Sequence, residues 1–381
     1  MTTYDVIIIG AGAMGSAAAY YAARDGRRVL LLEQFEIDHQ RGSSYGYSRI
    51  IRYAYTDPVY IQLAKVTFPL WAALQAEAGE TLYTKTGGID FGLRGEPTFE
   101  DTMRSMSAEG IPYEVLDPAE AMRRFPQFRF DDDMSVLYQS DTGALAASKC
   151  VRAHVRLAER HGAVVKANTR VMGIDVGGDS AAVHTMGESF SAARLIITAG
   201  AWTRGLLETL GIDLPLTGQR CQEIYFEPTS NPDWFLPGKM PVFIHHKGFD
   251  DGTGIYGLPG IDGSGVKAAR HGGDVFTHPA EVDYEPSMDV VEQVRAWTRR
   301  YLPAIGNGRL INTRVCLYTM TPDEHFIIDH HPEHKHVMIA SPCSGHGFKF
   351  STTIGSILND LAFKGRTDHD IALFNIGRFL A

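Results

Sequence analysis

Residues Gly10-Ala11-Gly12-Ala13-Met14-Gly15 stand between an apolar run, YDVIII, and a small-residue run, SAAAYYAARDG. A strand, a glycine turn and a helix in that order build a pyrophosphate site. Gly10 permits the tight turn, Gly12 lets backbone N–H groups approach the phosphates, and Gly15 lets the helix pack on the strand. The glycine pattern alone is a weak signal. Glu33 strengthens it, because it closes the second strand-like run, RVLLLE, where an acid accepts hydrogen bonds from a ribose and repels the extra phosphate of NADP. The spacing predicts a bound adenine dinucleotide and leaves NAD and FAD both open. A glycine turn without a ligand would leave the acid unexplained.

The thiols are the next candidates for chemistry. Cys150, Cys221, Cys316 and Cys343 are far apart and match no zinc spacing, and nothing points to an oxidising compartment. Read alone, each is a small buried hydrophobe. His325, His330, His331, His334 and His336 crowd one stretch and suggest a metal. They interleave with a strand-like FIID and a turn-like HPEHKH, whose ordinary state is exposure, so no metal is expected.

Elements must hold these groups in place. At 381 residues the chain exceeds one simple core, and ~150 residues per domain suggests two domains. Apolar residues at 44% and charged residues at 21% are the balance of an ordinary globular protein. The formal net charge of −9 attracts neither nucleic acid nor an anionic membrane, so neither is expected as a partner. The opening apolar run is too short and too glycine-bound for a signal peptide, and no window reaches the ~20 apolar residues of a membrane span. A cytoplasmic location is expected.

YDVIII, the first helix and RVLLLE form a βαβ opening. A helix is expected from about Asp57 to Ala78, with an apolar face of Tyr60, Leu63, Val66, Phe68, Leu70 and Leu74. Short strands and helices then alternate from Gly87 to about Asp141. The helix AASKCVRAHVRLAER, the strand AVVKAN, a hairpin around GGDS and the strand RLIITAG return to the first unit. The expected fold is α/β in a mixed α+β sense: a Rossmann-like dinucleotide domain (1–84, 142–213 and 316–381) interwoven with an antiparallel-sheet catalytic domain (85–141 and 214–315).

GAGAMG, GSSYGYSRIIRYAY (Gly42 to Tyr55), TAGAW, GVKAARHGG (Gly265 to Gly273), CLYTMTPDEHFIID (Cys316 to Asp329) and SGHGFKFS (Ser344 to Ser351) run in order along nearly the whole chain. Together they resemble the monomeric sarcosine oxidase and N-methyltryptophan oxidase family, with CLYT followed by SGHGFK the most specific combination. The resemblance implies a flavin-dependent amine oxidase with FAD attached covalently through Cys316. The thiolate would add to the 8α-methyl position of the flavin, with Arg49 supplying a field that favours the thiolate.

The resemblance further implies that Arg52 and Lys349 bind a substrate carboxylate and that Tyr256 and Tyr318 line the pocket. His271 would sit close to the amine, and Lys267 would stabilise developing superoxide. Arg49, Lys267, His271 and Tyr318 are the implied catalytic set. Besides Gly10, Gly12, Met14, Gly15 and Glu33, the implied cofactor residues are Ser43, Arg49, Gly200, Trp202, Cys316, Gly345, Gly347, Phe348 and Lys349. One segment departs from the family's GSHHGDTR: here Tyr45 and Tyr47 replace a histidine and an acid, and Tyr45 is taken as a substrate-side residue. The expected reaction is oxidative demethylation of an N-methyl amino acid by dioxygen in a monomer, giving amine, aldehyde and hydrogen peroxide. A cyclic imino acid, an Amadori amino acid, or a same-fold dehydrogenase with another acceptor are the alternatives. A nucleotide-binding protein without turnover is the rival from another class.

Overall fold

Two sheets organise the chain, and the alternation of side chains along their strands decides which residues reach the site. The computed structural model describes residues 2–380. In the first sheet the strand Thr2–Ile9 lies parallel between Ser189–Ile197 and Val29–Leu32. Val164–Lys166 extends one side, and Val337–Ser341 joins parallel to Ser189–Ile197 on the other. Both faces are covered, so the strands read as unbroken apolar runs. Val6 and Ile8 face the helices Ala13–Arg24, Ala147–Arg160 and Ser351–Lys364, while Ile7 and Ile9 belong to the opposite cluster with Leu30, Leu195 and Leu214. Gly355 marks where two of these helices touch, since a Cβ there would lie 2.6 Å from the Ala17 backbone carbonyl carbon.

The second sheet is nine-stranded and mostly antiparallel. Its longest strands, Thr217–Phe226 and Leu310–Met320, pair with Cys221 opposite Cys316 and Gln219 opposite Tyr318. Val266–Arg270 pairs with the other end of Thr217–Phe226, and Ile255–Leu258 lies beyond it. On one face, Ile224, Phe226, Val266 and Ala268 pack with Val291, Val294 and Trp297 of the helix Met288–Tyr301. The other face is free to build a site. A small third sheet joins Arg49–Ile51, Gly143–Leu145 and Tyr83–Lys85.

The helix expected from about Asp57 runs Pro58–Ala78, begun by Asp57, whose side chain accepts from the Val59 N–H. Its buried face is Tyr60, Ile61, Leu63, Ala64, Thr67, Trp71 and Leu74, while Val66, Phe68 and Leu70 are only half-buried. Trp71 is the anchor that periodicity did not single out; its indole N–H donates to the Lys349 carbonyl at 2.7 Å. The expected hairpin is Val171–Gly177 with Ser180–Thr185. Leu310–Met320 runs unbroken through residue 316, the expected domain division. Among the described residues, no helix is long and apolar enough to cross a membrane.

Candidate active site

The glycine turn is built as its sequence requires. Gly10 has φ +98°, and a Cβ there would stand 2.6 Å from the Thr198 carbonyl oxygen. A Cβ on Gly15 would meet the Gly10 carbonyl oxygen at 1.8 Å, so the helix start and the turn are in contact. The first helical N–H groups point to the turn, and one of them, from Ala13, donates to Ser44 Oγ at 3.0 Å. Glu33 is buried; it accepts from the Ala11 N–H at 2.9 Å and from the Phe35 N–H at 3.1 Å. Burial raises its carboxyl above the ordinary value, against the pull of those backbone donors. An acid with two of its lone-pair sites already bonded keeps capacity for a hydroxyl donor.

From this turn a cavity of about 780 Å³ runs to the free face of the large sheet. Period-two alternation puts Cys221, Glu223 and Tyr225 on that face of one strand, and Arg314, Cys316 and Tyr318 beside them on its partner. Tyr225 stands opposite Lys267, so Glu223 is the diagonal neighbour of Lys267. Tyr256 stands opposite Ala269, on the same face as Lys267. The Tyr256 and Tyr318 hydroxyls are 3.4 Å apart, and the His271 ring lies 5.5 Å from that of Tyr318. Burial first, then the Arg52 and Lys349 charges, pull His271 down to about 4, leaving a neutral imidazole at pH 7.

Three charges meet on this wall. Glu223 Oε1 accepts from Arg49 Nη1 at 2.7 Å and from Lys267 Nζ, while Oε2 accepts from the Tyr225 hydroxyl at 2.7 Å. Burial would raise the Glu223 carboxyl, but Arg49 and Lys267 outweigh it and hold the group down to about 2. Arg49 also donates through Nη2 to the Ser43 and Tyr45 carbonyls, at 2.9 and 2.8 Å, and through Nη1 to that of Ser48. It thereby fastens the loop 42–48 to the large sheet. Lys267 is 1% exposed, and burial takes it down to about 8 against the attraction of Glu223.

Cys316 is 3% exposed and packs with Tyr45 and Cys221. Its thiol is pushed up to about 12, by burial first and by Glu223 second, with Arg49 and Lys267 pulling the other way. Arg49 does favour the thiolate, as expected, but burial and Glu223 outweigh it, and Cys316 stands as a neutral thiol. The Tyr45 hydroxyl donates to the Val315 carbonyl, which sets its ring against Cys316. Tyr47 turns outward, edge-on to Tyr225 and under the Arg314 guanidinium at 4.0 Å, and does not line the cavity.

At the far end Lys349 Nζ donates to the Tyr55 hydroxyl at 2.7 Å and to the His346 carbonyl. Burial and then Arg52 hold Lys349 well below an ordinary lysine. Arg52 Nη1 donates to Asp90 Oδ1 at 3.2 Å and to the Ala54 carbonyl, so among the described residues its Nε and Nη2 make no hydrogen bond. That edge of the guanidinium suits a bidentate carboxylate. His246 Nε2 lies 3.0 Å from the same Asp90 oxygen. Gly345 has φ +75°, and a Cβ there would sit 2.7 Å from the His271 ring and 2.8 Å from the Tyr318 ring.

Nearly all the residues expected at the site line this one cavity: Gly10, Gly12, Met14, Glu33, Ser43, Tyr45, Arg49, Arg52, Gly200, Trp202, Tyr256, His271, Cys316, Tyr318, Gly345, Gly347, Phe348 and Lys349. Gly15 and Lys267 do not; the first packs under the turn and the second lies behind Glu223. Sequence reasoning missed Glu223, Asp90, His246 and Tyr55. The available signal for Glu223 was an acid inside the strand-like run QEIYF, a position that ordinarily faces water. Among the described residues no group of three or more His, Cys, Asp or Glu is arranged to hold a metal. In the histidine run, His331 Nδ1 accepts from the Glu333 N–H and His330 Nδ1 contacts the Lys335 carbonyl.

Comparison with known proteins settles the ancestry of this arrangement. The pattern of the FAD dependent oxidoreductase (DAO) family matches residues 5–361. The chain belongs to that family. It is similar to a monomeric sarcosine oxidase of Bacillus sp. (strain B-0618), 37% identical over 99% of this chain and 96% of that protein. It is also similar to an N-methyl-L-tryptophan oxidase of Citrobacter koseri, 30% identical over 99% of both chains. Among solved structures, a Tyr258Phe mutant of NikD, an unusual amino acid oxidase, shares the fold with a TM-score of 0.88 at 24% identity, covering 98% of this chain and 97% of its own.

The residues present fit the cofactor of this family. A side chain on Gly10 would strike the Thr198 carbonyl, so only glycine lets the turn form that would cradle a pyrophosphate. Glu33 is placed for a ribose, and the cavity lies within the ~300–1,000 Å³ of small-molecule and cofactor sites. The turn and Glu33 would hold the adenosine diphosphate portion, and the Cys316 wall would take the ring system.

Proposed function

We propose that the protein is an FAD-dependent oxidase of N-methyl amino acids, of the sarcosine or N-methyltryptophan type. The observation that carries this reading is the convergence of two basic side chains, Arg52 and Lys349, with Tyr256, Tyr318 and a neutral His271 in the cavity that begins at the glycine turn. Full-length similarity to sarcosine and N-methyltryptophan oxidases supports it, and supports action as a monomer with dioxygen as acceptor. When bound, FAD supplies the two-electron acceptor that dioxygen restores.

The residues of the chain do the rest. The free Nε and Nη2 of Arg52, with Lys349, take the substrate carboxylate and fix the amine end toward Tyr256, Tyr318 and His271. A neutral His271 adds no second positive charge, so the bound amine can stand deprotonated with its lone pair available. Oxidation removes two electrons and two protons from the C–H and N–H bonds. Water hydrolyses the resulting imine to primary amine and aldehyde, and the two electrons and two protons convert dioxygen to hydrogen peroxide. Cys316 is the point of covalent attachment in this reading, its proton leaving the buried thiol only once the cofactor fills the cavity.

Anaerobic mixing with sarcosine, N-methyl-L-tryptophan, proline and pipecolate tests the proposal. An N-methyl amino acid is expected to bleach the flavin absorbance, and air to restore it with one peroxide and one aldehyde per turnover. Purified protein without flavin bands, or bleaching by the cyclic acids alone, would overturn it.

A further inference from the structure

We propose that Glu223 is a positioning residue of this site: its carboxylate is the counter-ion that keeps Lys267 an ammonium behind the cavity wall and ties Arg49 to the sheet beside Cys316. Glu223 lines the cavity, yet both of its oxygens are spoken for by protein groups. Among the described residues Lys267 has no other anionic partner; its other hydrogen bond goes to the Ser48 carbonyl at 3.2 Å, and its Nζ lies 5.5 Å from the Tyr256 ring centre. The other partners of Arg49 are likewise carbonyls, those of Ser43, Tyr45 and Ser48. One buried acid therefore serves two buried cations, and the group as a whole carries one net positive charge.

The groups around it allow no substitute. Tyr225 faces Glu223 from its own strand, Arg49 from Arg49–Ile51, Lys267 from Val266–Arg270, Cys316 from Leu310–Met320 and Tyr256 from Ile255–Leu258. Tyr45 comes from the loop, and Arg314 stands opposite Glu223 on the partner strand, its guanidinium over the Tyr47 and Tyr225 rings. None of these is a second carboxylate; Asp38, which also acts on Arg49 without a hydrogen bond to it, is bound to Ser148 and Arg152. Removing the Glu223 charge leaves an arginine and a lysine side by side out of water, and only the lysine can shed its proton. The wall then loses the ammonium that dioxygen reduction would use, because a fixed cation helps only where charge develops. This last step rests on the oxidase reading; the counter-ion role does not.

The experiment compares the holoenzyme with Glu223→Gln. Thermal unfolding is followed from pH 6 to pH 10. With Glu223 in place Lys267 titrates at about 8, and without it lower, so between those points the variant binds fewer protons when folded. The Tm gap between the two proteins should be widest at pH 6–7 and narrow as pH rises through about 8, above which both bury a neutral amine. A gap that stays constant with pH means a packing role only and overturns the proposal. If Glu223→Gln yields no folded protein, the double variant Glu223→Gln/Lys267→Met, which removes the unpaired amine as well, should restore folding; no restoration also overturns it.

A kinetic arm uses sarcosine as the probe. Glu223→Gln should lower kcat/KM for dioxygen at pH 7 by about tenfold or more, leave anaerobic flavin reduction within about threefold, and be partly rescued by Glu223→Asp. An equal loss in both half-reactions contradicts the role. If the unmodified protein oxidises no N-methyl amino acid, the oxidase reading fails while the unfolding comparison still decides the counter-ion.

Discussion

Lys349 Nζ donates to the Tyr55 hydroxyl at 2.7 Å, and that hydroxyl lies 3.4 Å from His346 Nδ1. The lysine proposed to hold a carboxylate is thus buried, with a hydroxyl and a carbonyl as partners and no anion among them. Its pKa is held well below the ordinary value by burial and then by Arg52. A bound carboxylate reverses that balance, so binding is coupled to proton uptake.

Carboxylate affinity should therefore fall as pH rises above the titration of unliganded Lys349. Acetate, followed by its perturbation of the flavin spectrum, is expected to bind up to about tenfold more weakly per pH unit on the alkaline limb. In Lys349→Met the affinity should be lower throughout and that slope absent. An unchanged slope in the variant would show that another group takes up the proton.

Covalent attachment at Cys316 has a direct test. After acid precipitation the yellow colour should remain with the unmodified protein and wash out of Cys316→Ala. Because burial and Glu223 push the thiol up to about 12, attachment to apoprotein should be slow at pH 7 and faster at pH 9. Colour lost from the unmodified protein would refute the covalent link without touching FAD binding.

Gly345→Ala should be costly twice over. The residue has φ +75°, and the added methyl would enter the space of the His271 and Tyr318 rings. A strain of ~1–3 kcal/mol is expected in chemical denaturation, with kcat/KM reduced through displacement of the two rings. Wild-type kinetics in this variant would mean the rings can shift freely.

Acid should expose the worth of the Glu223 pairings. Its folded pKa is depressed to about 2, so the stability it contributes is fully present above the ordinary carboxyl range and is lost as pH falls toward 2. Relative to Glu223→Gln, the unmodified protein should lose its advantage between about pH 5 and pH 2. At neutral pH, breaking such a buried pair costs ~3–5 kcal/mol. A constant difference across that range would show that the charge plays no part.

How much of this was legible beforehand depends on how local each signal is. The glycine turn, Glu33 and the first βαβ unit could be read directly, because strand, turn and helix are contiguous and each glycine answers a short-range steric demand. Arg52, Lys349, Tyr256 and His271 were placed together only by resemblance, since four separate segments converge on them. Glu223 escaped notice because its partners come from the loop at Arg49 and the strand at Lys267. One acid in a strand looks the same whether its face is wet or buried. Tyr47 shows the converse: Tyr45 enters the cavity wall, and the loop turn at Gly46, with φ +120°, sends Tyr47 outward.

The strand Thr217–Phe226 has consequences for how this chain can drift. Its odd-numbered positions carry Cys221, Glu223 and Tyr225 toward the cavity, and its even-numbered positions carry Ile224 and Phe226 into the core. Exchanging single residues alters one face at a time. Inserting or deleting one residue would turn the strand over and send the acid into the apolar layer and the phenylalanine into the site. Length variation between relatives should accordingly fall in the surface turns, such as 177–180 and 249–254, while the spacing from Cys221 to Phe226 stays fixed.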